Sequence, residues 1–392
     1  MGATKTIMKI CLYSPYFPKH FGGGEKYLLD VALILAQKHE IFLALAQSEA
    51  KTDKEFFAET KQIKLKHENF LGKKLDKLNF INSPFTKNLS KNDSQHRNNN
   101  FLQKLLWTKQ FDVFYYQTDG SLFFSLAQKN ILHIQTPLKL NKNNFFEKLK
   151  LANWQIKNTN SLFTKRIIEK FWKTKINLVH TPMVDIPNFS EQKLTELINK
   201  IQKIILNVGR FFTHLHAKRQ DILVEIFKNL IKKYPQETKN WHLVLIGSVE
   251  NQIYAAHIAK LAKDLPVTII HQTSRKELLN WYRKTSIYWH ATGFGIDQEK
   301  NPEKVEHFGI TTIEAMAYGC VPVVIKKGGQ IEILGDKLSQ LLWETKQDCI
   351  QKTYKLISGK NKKNQLAKLA YQQSKNFSKT IFETKLWQMI DK

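Results

Sequence analysis

The sequence has little cysteine, no long hydrophobic run and few acidic residues. Its three cysteines, Cys11, Cys320 and Cys349, are far apart and form no CxxC pair. This pattern excludes a disulfide framework and a cysteine-ligated zinc site, and it favours a reducing, cytoplasmic compartment. No stretch approaches the ~18 apolar residues that predict a transmembrane helix, and the first residues lack the apolar core of a signal peptide.

The scarcity of acids leaves a strong positive charge. There are 61 Lys and Arg against 34 Asp and Glu, a net charge of +27. The excess is concentrated in 61–104, with ten basic and three acidic residues, and in 139–175, with ten and two. One explanation is a compositional bias towards Lys, Asn and Ile. The other is an anionic partner, namely a membrane surface, nucleic acid or a phosphorylated ligand.

Aromatic residues are interleaved with the second basic run. They are Phe145, Phe146, Trp154, Phe163, Phe171 and Trp172. Basic and aromatic side chains together suit a surface that contacts lipid headgroups, and we expect a peripheral position on an anionic inner membrane face. The same pattern is also typical of half-buried, solvated helices.

The order of apolar runs predicts an α/β protein. The 392 residues suffice for two domains. In each half, β-type runs alternate with helical spacing, which predicts two Rossmann-like, doubly wound parallel sheets. We predict an N-terminal domain over 1–187 and a linker over 188–200. A C-terminal domain is expected over 201–364, and a helical segment over 365–392 that packs back on the first domain.

Unusual residues follow several of the predicted strands. Ligands of such sheets bind at the carboxyl ends of the strands, and two domains whose sheet ends face each other enclose a central cleft. The residues at these ends are Gly22, Gly23, Gly24, Glu25, His133, Gln135, Gly209, Arg210, Gly247 and His290.

The stretch "EHFGITTIEAMAYGCVPVV" at 306–324 contains two glutamates eight positions apart. Gly309 to Thr312 predicts a helix start, whose free N–H groups can hold an anion or a sugar oxygen. Thr311 and Glu314 also fit a capping box, which needs no ligand. Glu306 precedes the helix, and its alternative interpretation is a solvated surface residue.

This stretch, followed by "GGQIEIL" at 328–334, resembles the signature of the retaining, nucleotide-sugar-dependent glycosyltransferases of family 4, or group 1, which have the GT-B fold. Further segments resemble the family in the expected order, so that the resemblance covers essentially the whole chain. They are "GGGEKYLLDVALILAQ" (22–37), "TNSLFTKRIIEKFW" (159–172), "VHTPMVDI" (179–186), "NVGRF" (207–211), "HAKRQ" (216–220) and "LVLIGS" (243–248).

The resemblance implies that the domain over 1–187 binds the acceptor and that the domain over 201–364 binds the nucleotide sugar. It also implies roles for the donor-binding residues. Glu306 would contact hydroxyls of the donor sugar, and Glu314 would bind the ribose. Arg210 and Lys218 would stabilise the leaving diphosphate without a metal ion or cofactor. The interval between them is longer than is common in the family, so Arg219 is an alternative to Lys218. Further donor contacts are implied for Gly22, Gly23, Gly24, Gly209, Gly247, His290, His307, Phe308, Gly309 and Ile310.

Three residues of the first half complete the predicted site. The resemblance implies that His133 lies near the transferred sugar and takes part in catalysis, whereas a histidine after an apolar run can equally be packed in the core. Glu25 and Gln135 are assigned to the acceptor side. Three glycines before a helix also suit a plain tight turn, and Glu25 suits the first turn of that helix.

The resemblance therefore implies a glycosyltransferase that moves a sugar, with retention, from a nucleotide-sugar donor, UDP- or GDP-linked, to a hydroxyl of a glycan or lipid-linked glycan. The family mechanism is drawn as a front-face reaction without a protein nucleophile, and no hydrolase triad or carboxylate pair is evident. Two alternatives stay open. One is another GT-B enzyme such as a nucleotide-sugar epimerase. The other is a basic nucleic-acid-binding protein, although no nucleic-acid module is evident and we expect no nucleic-acid partner.

Overall fold

The computed structural model describes residues 6–18, 22–45, 52–85 and 101–391. The chain forms two compact units. The first comprises Met1–Asn160, Thr164–Pro182 and Phe382–Lys392, and the second comprises Ser161–Phe163 and Met183–Ile381. Part of the polar stretch before residue 101 and of the first glycine-rich loop lies outside the described residues.

The first unit contains a seven-stranded parallel sheet in the order β3-β2-β1-β4-β5-β6-β7. Its strands are β1 (Lys9–Tyr13), β2 (Glu40–Leu45), β3 (Leu78–Asn82), β4 (Val113–Thr118), β5 (Lys129–Ile134), β6 (Ile156–Thr159) and β7 (Leu178–Val179). Its helices are α1 (Gly23–Leu35), α2 (Asp53–Leu71), α3 (Phe101–Thr108), α4 (Phe145–Asn153), α5 (Leu162–Trp172), which begins in the short stretch assigned to the second unit, and α14 (Lys379–Asp391), which enters from it.

The second unit contains a six-stranded parallel sheet in the order β10-β9-β8-β11-β12-β13. Its strands are β8 (Ile204–Val208), β9 (His242–Ile246), β10 (Val267–Ile270), β11 (Ile287–His290), β12 (Val321–Ile325) and β13 (Leu342–Trp343). Its helices are α6 (Glu191–Lys200), α7 (Gln220–Lys233), α8 (Gln252–Ala262), α9 (Arg275–Lys284), α10 (Ile310–Ala317), α11 (Gln330–Leu334), α12 (Lys346–Ser358) and α13 (Lys360–Ser374).

The sheets form where the sequence is continuously apolar. Every residue of β8 and β12 is buried, as expected for parallel strands covered on both faces by helices. The helices show apolar residues at helical spacing, and α7 buries one such face against the sheet. The predicted α/β class with two doubly wound parallel sheets is confirmed.

The predicted division of the chain differs from the structure in two places. The stretch 188–200, predicted as a linker, contains α6, whose Leu194 and Ile198 are buried in the core of the second unit. The predicted C-terminal segment 365–392 is divided, because only Phe382–Lys392 belongs to the first unit. Polar linker-like composition misled the first prediction, since α6 buries only one narrow face.

The C-terminal helix is tied into the first unit by specific contacts. The backbone carbonyl of Phe382 lies 3.0 Å from Nε2 of His180, and the ammonium of Lys129 donates to the carbonyl of Ile390 at 2.7 Å. The ammonium of Lys38 lies 4.5 Å from the centre of the Trp387 ring. In the described part of the chain, no helix has the length and apolar character needed to cross a membrane.

Candidate active site

The carboxylate of Glu306 lies at the centre of a polar cluster in the second unit. Its Oε2 is 2.5 Å from Nζ of Lys218 and 3.0 Å from Nε2 of His290. Lys218 is in the segment between β8 and α7, and His290 is the last residue of β11, so two carboxyl strand ends supply the partners. Among the described residues, Oε1 of Glu306 has no hydrogen-bond partner and is therefore available to a ligand.

The surroundings keep Glu306 ionised. Burial acts to raise the pKa of this carboxyl, but the charge of Lys218 and the hydrogen bond with His290 outweigh it and hold the pKa well below its usual value. Burial lowers the pKa of His290, against the pull of Glu306, so the ring is neutral at neutral pH. The cluster thus presents one fixed negative charge beside one ammonium.

Two glycines let the backbone segments around Lys218 approach each other. A Cβ at Gly247, directly after β9, would lie 2.0 Å from the carbonyl oxygen of Gly209, directly after β8. A Cβ at Gly209 would lie 2.6 Å from Cγ of Lys218. Backbone packing therefore requires glycine at 247, and glycine at 209 leaves room for the Lys218 side chain beside the end of β8.

The helix start after Glu306 is built on a third glycine. Gly309 caps α10 with φ of +121°, which disfavours a side chain, and a Cβ there would lie 2.1 Å from Nε2 of Gln330. Gln330 is buried and accepts a hydrogen bond from Oγ1 of Thr312 at 2.9 Å. The next loop packs equally closely, because a Cβ at Gly328 would lie 2.0 Å from the carbonyl oxygen of Glu306.

The capping box predicted for Thr311 and Glu314 is wrong. The helix cap is Gly309, with no side-chain hydrogen bond, and the hydroxyl of Thr311 contacts that of Tyr288 at 2.7 Å. Glu314 is buried and uses both oxygens elsewhere. Oε1 lies 2.7 Å from the guanidinium of Arg275, and Oε2 accepts from the hydroxyl of Tyr282 at 3.0 Å.

The two arginines assigned to the diphosphate have different surroundings. Arg210 is 40% exposed, pairs with Glu250 at 2.6 Å and stacks over the ring of Phe212. Arg219 contacts both carboxylate oxygens of Asp221 and donates to the carbonyl of Phe294 at 2.8 Å. Arg219 therefore fixes the start of α7, whereas Lys218 reaches Glu306.

The remaining donor residues of the second unit lie next to this cluster. Nε2 of His307 donates to the carbonyl of Glu303 at 3.1 Å, and the His307 ring is 5.3 Å from that of His216. Phe308 is buried against Phe377, and Ile310 packs partly exposed on the core.

Sequence reasoning missed several contributors. They are His216, Arg275, Tyr282, Thr292 and Gln330. His216 and Gln330 stand inside quoted motifs, and that position was a usable signal. Arg275 is the first residue of α9, and only the fold brings it to Glu314.

In the first unit, the predicted acceptor residues gather around α1. The N–H of Gly22 donates to Oε2 of Glu25 at 3.0 Å, so Glu25 caps the helix, and Gly23 is exposed at its first position. A Cβ at Gly24 would lie 2.8 Å from Oε1 of Gln135, which accepts from the amide of Gln117 at 3.2 Å. The glycine here allows α1 to approach the ends of β4 and β5.

His133 is enclosed in the core of the first unit. The residue has no exposed surface, its ring stacks on Tyr27 at 3.9 Å, and Nδ1 contacts Oδ1 of Asn158. Burial lowers the pKa of His133 to about 3, so the ring is neutral. This position favours the packed interpretation over a catalytic role.

The comparisons with known proteins agree with this fold. Residues 188–373 match the model of the family described as glycosyl transferases group 1. This segment contains Lys218, Glu306 and Glu314, and the match confirms the resemblance to group 1 glycosyltransferases for this part of the chain. In the described part of the chain, no group of three His, Cys, Asp or Glu residues is placed to hold a metal ion.

Curated relatives match part of the chain. They are named GDP-Man:Man(3)GlcNAc(2)-PP-Dol alpha-1,2-mannosyltransferase. The protein from Neurospora crassa is 26% identical over 44% of this chain and 33% of its own length. The Dictyostelium discoideum protein is 24% identical over 59% and 46%, and the human protein 23% over 71% and 59%. The chain thus spans between a third and about three fifths of these relatives.

Solved structures match over nearly the full chain. A glycosyltransferase from Rickettsia africae has a TM-score of 0.69 and 16% identity, and the match covers 98% of this chain and 99% of that one. HepE from Anabaena, in complex with UDP, has a TM-score of 0.67 and 15% identity over 98% and 100%. WaaG, a glycosyltransferase of lipopolysaccharide biosynthesis, has a TM-score of 0.59 and 13% identity over 96% and 99%. These likenesses show the GT-B fold.

Proposed function

We propose that the protein is a glycosyltransferase that transfers a sugar from a nucleoside diphosphate donor to an acceptor hydroxyl. The observation that carries the proposal is the carboxylate of Glu306, fixed through one oxygen by Lys218 and His290 while the other oxygen is free for a sugar hydroxyl. It lies in the segment that matches the group 1 family. A carboxylate can accept hydrogen bonds from sugar hydroxyls, and the neighbouring cation can bind a diphosphate. The pair therefore suits a sugar joined to a diphosphate.

Each charged residue has a definite role in this reaction. Lys218 neutralises the diphosphate as it leaves, which stabilises charge that develops in the transition state. Arg210 also binds the diphosphate once it has left Glu250. The Arg210–Glu250 ion pair is exposed and therefore weak, so it is readily exchanged. Glu314 binds the ribose, with Arg275 and Tyr282 fixing its orientation. In this scheme the protein supplies no nucleophile, transfer proceeds with retention, and the residues themselves supply the cation that the diphosphate needs.

The donor is a GDP- or UDP-sugar. The curated relatives carry GDP-Man in their names, and the Anabaena structure contains UDP. The acceptor is a glycan or a lipid-linked glycan, as the PP-Dol acceptor in the relatives' names suggests. The first unit would bind it, with Glu25 and Gln135 on the acceptor side.

We also place the protein at the periphery of an anionic membrane, on its cytoplasmic face. The first turn of α4 exposes Phe145 by 69% and Phe146 by 70%, and the next turn exposes Leu149 by 42%. Glu147 in the first turn is neutralised by Lys142 and Lys150, at 2.6 and 2.8 Å. Adjacent aromatic rings in basic surroundings suit the interface of an anionic bilayer.

A donor screen tests the proposed function. Thermal shifts are measured with UDP-, GDP- and ADP-sugars, and the donor that stabilises the protein is then incubated with candidate acceptors. Transfer of the sugar is expected, with release of the nucleoside diphosphate. Isomerisation of the free donor without transfer would instead indicate an epimerase. No stabilisation by any nucleotide sugar, together with a salt-dependent shift on DNA, would contradict the proposal.

A further inference from the structure

His290 shares a single oxygen of Glu306 with Lys218. Both contacts fall on Oε2, at 3.0 and 2.5 Å, and the other oxygen has no partner among the described residues. The ring is 1% exposed at the end of β11, and the hydroxyl of Thr292 lies 3.1 Å from the same Nε2. The histidine is therefore held by the fold, whereas lysine carries its charge on a flexible four-carbon stem.

Lys218 has two anionic partners once a donor is bound. It pairs with Glu306 in the structure, and the proposed function requires it to neutralise the diphosphate as well. A point charge on a flexible chain moves towards the larger negative charge, so the ammonium cannot by itself keep the carboxylate in place.

Resting on the proposed function, we propose that His290 is a positioning residue that holds Oε2 of Glu306 while Lys218 turns to the diphosphate. Oε1 of Glu306 then stays available to the sugar hydroxyl throughout the reaction. The hydrogen bond from His290 is the fixed contact, and the Lys218 contact is the exchangeable one.

The ring chemistry suits this role. An ionised carboxylate only accepts hydrogen bonds, so Nε2 of His290 must carry the hydrogen. Its Nδ1 is buried without a hydrogen-bond partner among the described residues, so protonation there would bury an unpaired N–H. The residue is thus a neutral donor that does not compete with Lys218 for the diphosphate.

Several groups face Glu306 and bear on any pH dependence. They are Lys218 and His216 from the segment before α7, His290 and Tyr288 from β11, and His307 next in the chain. Burial, and then Lys218, lower the pKa of His216 to about 3, so this ring stays neutral. Among these groups, Glu306 is the one whose ionised form the proposed sugar contact requires, so a shift of the acid limb on loss of His290 reports Glu306.

Three substitutions separate positioning from a structural role. His290→Leu fills a similar volume, lacks the hydrogen bond and removes the unpaired Nδ1. In His290→Gln the side-chain amide donates from about the position of Nε2. In His290→Asn the side chain is too short for its amide to reach Glu306. His242→Gln is the matched control, because His242 is an exposed histidine on β9 of the same sheet.

We expect His290→Leu to lower kcat by about 10- to 100-fold with the donor KM changed less than about threefold. The acid limb should move to higher pH, because loss of the hydrogen bond raises the pKa of Glu306. The Gln variant should recover most of the rate and the acid limb, and the Asn variant should not. The control and the melting temperature of His290→Leu should match the wild type.

Wild-type kcat and an unmoved acid limb in His290→Leu would overturn the proposal, as would an equal loss in the Gln and Asn variants. Absence of any transfer by the wild type would count against the proposed function instead. In that event ¹⁵N-histidine NMR still tests the arrangement, with His290→Leu assigning the signal. A neutral ring with the hydrogen on Nε2 down to pH 5 supports it, and a charged ring at pH 6 overturns it.

Discussion

The ammonium of Lys218 lies 2.5 Å from Oε2 of Glu306, although the two residues are 88 positions apart. Each side chain keeps 14% of its surface exposed, so the pair is largely shielded but reachable by a ligand. Arg219, the neighbouring cation, is bound to Asp221 instead. The structure thereby distinguishes the roles of two adjacent residues, which the sequence left open. This difference in role can be tested by substitution.

Lys218→Ala should lower kcat by about 10²- to 10³-fold, because it removes the cation nearest the proposed leaving group. Arg219→Ala should leave kcat within a few fold but lower the melting temperature, because it removes the contacts with Asp221 and Phe294. Steady-state kinetics and thermal unfolding of both variants check this. The reverse pattern would assign the diphosphate to Arg219.

The two glutamates should fail in different ways. Glu306→Gln should abolish transfer while the nucleoside diphosphate still binds, since the proposed contact is with the sugar. Glu314→Gln should chiefly weaken nucleotide binding and destabilise the fold, because Arg275 loses its buried partner. Calorimetric titration with UDP and GDP, beside transfer assays, distinguishes them. Full activity in both variants would contradict the proposed donor site.

Gly247→Ala should destabilise the second unit by more than about 3 kcal/mol, because the added Cβ would lie 2.0 Å from the carbonyl oxygen of Gly209. Gly295→Ala is the matched control. Its φ is +77° and nothing lies within 4 Å of the added atom, so only backbone strain of about 1 kcal/mol is expected. Denaturant unfolding of both variants measures the difference, and similar losses would refute close packing at Gly247.

The double variant Phe145→Ser, Phe146→Ser should bind anionic vesicles at least about tenfold more weakly, because each buried phenylalanine contributes about 1.5–3 kcal/mol. Phe57→Ser on α2 is the control, since Phe57 is 72% exposed in the same unit. Co-sedimentation with phosphatidylcholine vesicles, with and without phosphatidylglycerol, measures binding. Equal binding of wild type to neutral vesicles, or an equal loss in the control, would contradict a membrane role for α4.

Acid should lower the stability of the first unit at pH values well above those at which carboxylates are protonated. Burial lowers the pKa of both His133 and His180 to about 3, from 6.5. Below pH 6.5 the unfolded chain binds protons that the folded unit does not. Each histidine therefore costs about 1.4 kcal/mol of stability per pH unit as the pH falls from 6.5 towards 3.

His180→Gln removes one of these titrations, so its melting temperature should fall less between pH 7.5 and pH 5.5 than that of the wild type. His242→Gln, which changes an exposed histidine, should follow the wild type. Identical slopes for all three proteins would show that the buried ring does not titrate as expected.

Much of the fold could be predicted because local and global signals agree. The predicted alternation of β-type and helical runs is clear at α7, α9 and β12, where apolar spacing and end signals act together. The short edge strands β7 and β13 were not predicted. Each has two residues, and pairing with a neighbouring strand, instead of composition, defines them.

The site residues also divide into those that local sequence signals predict and those that only contacts in the fold define. His290 could be placed at a strand end from sequence order, since parallel strands share one carboxyl edge, whereas the roles of Glu306 and Lys218 were implied by the family resemblance. The capping box failed because α10 begins at Ile310 with Gly309 as its cap, so Thr311 already lies inside the helix and its hydroxyl contacts that of Tyr288. His133 could not be resolved because an apolar run around a histidine fits a ligand site and a core equally well.

The return of the chain to the first unit affects how the protein must be made. His180 contacts the carbonyl of Phe382, more than 200 positions later, and Lys38 stacks on Trp387. A ribosome therefore completes the second unit before it delivers the helix that closes the first. Until then, the face of the first unit that α14 covers is exposed. In an expression fragment that stops at residue 182, this face would remain exposed.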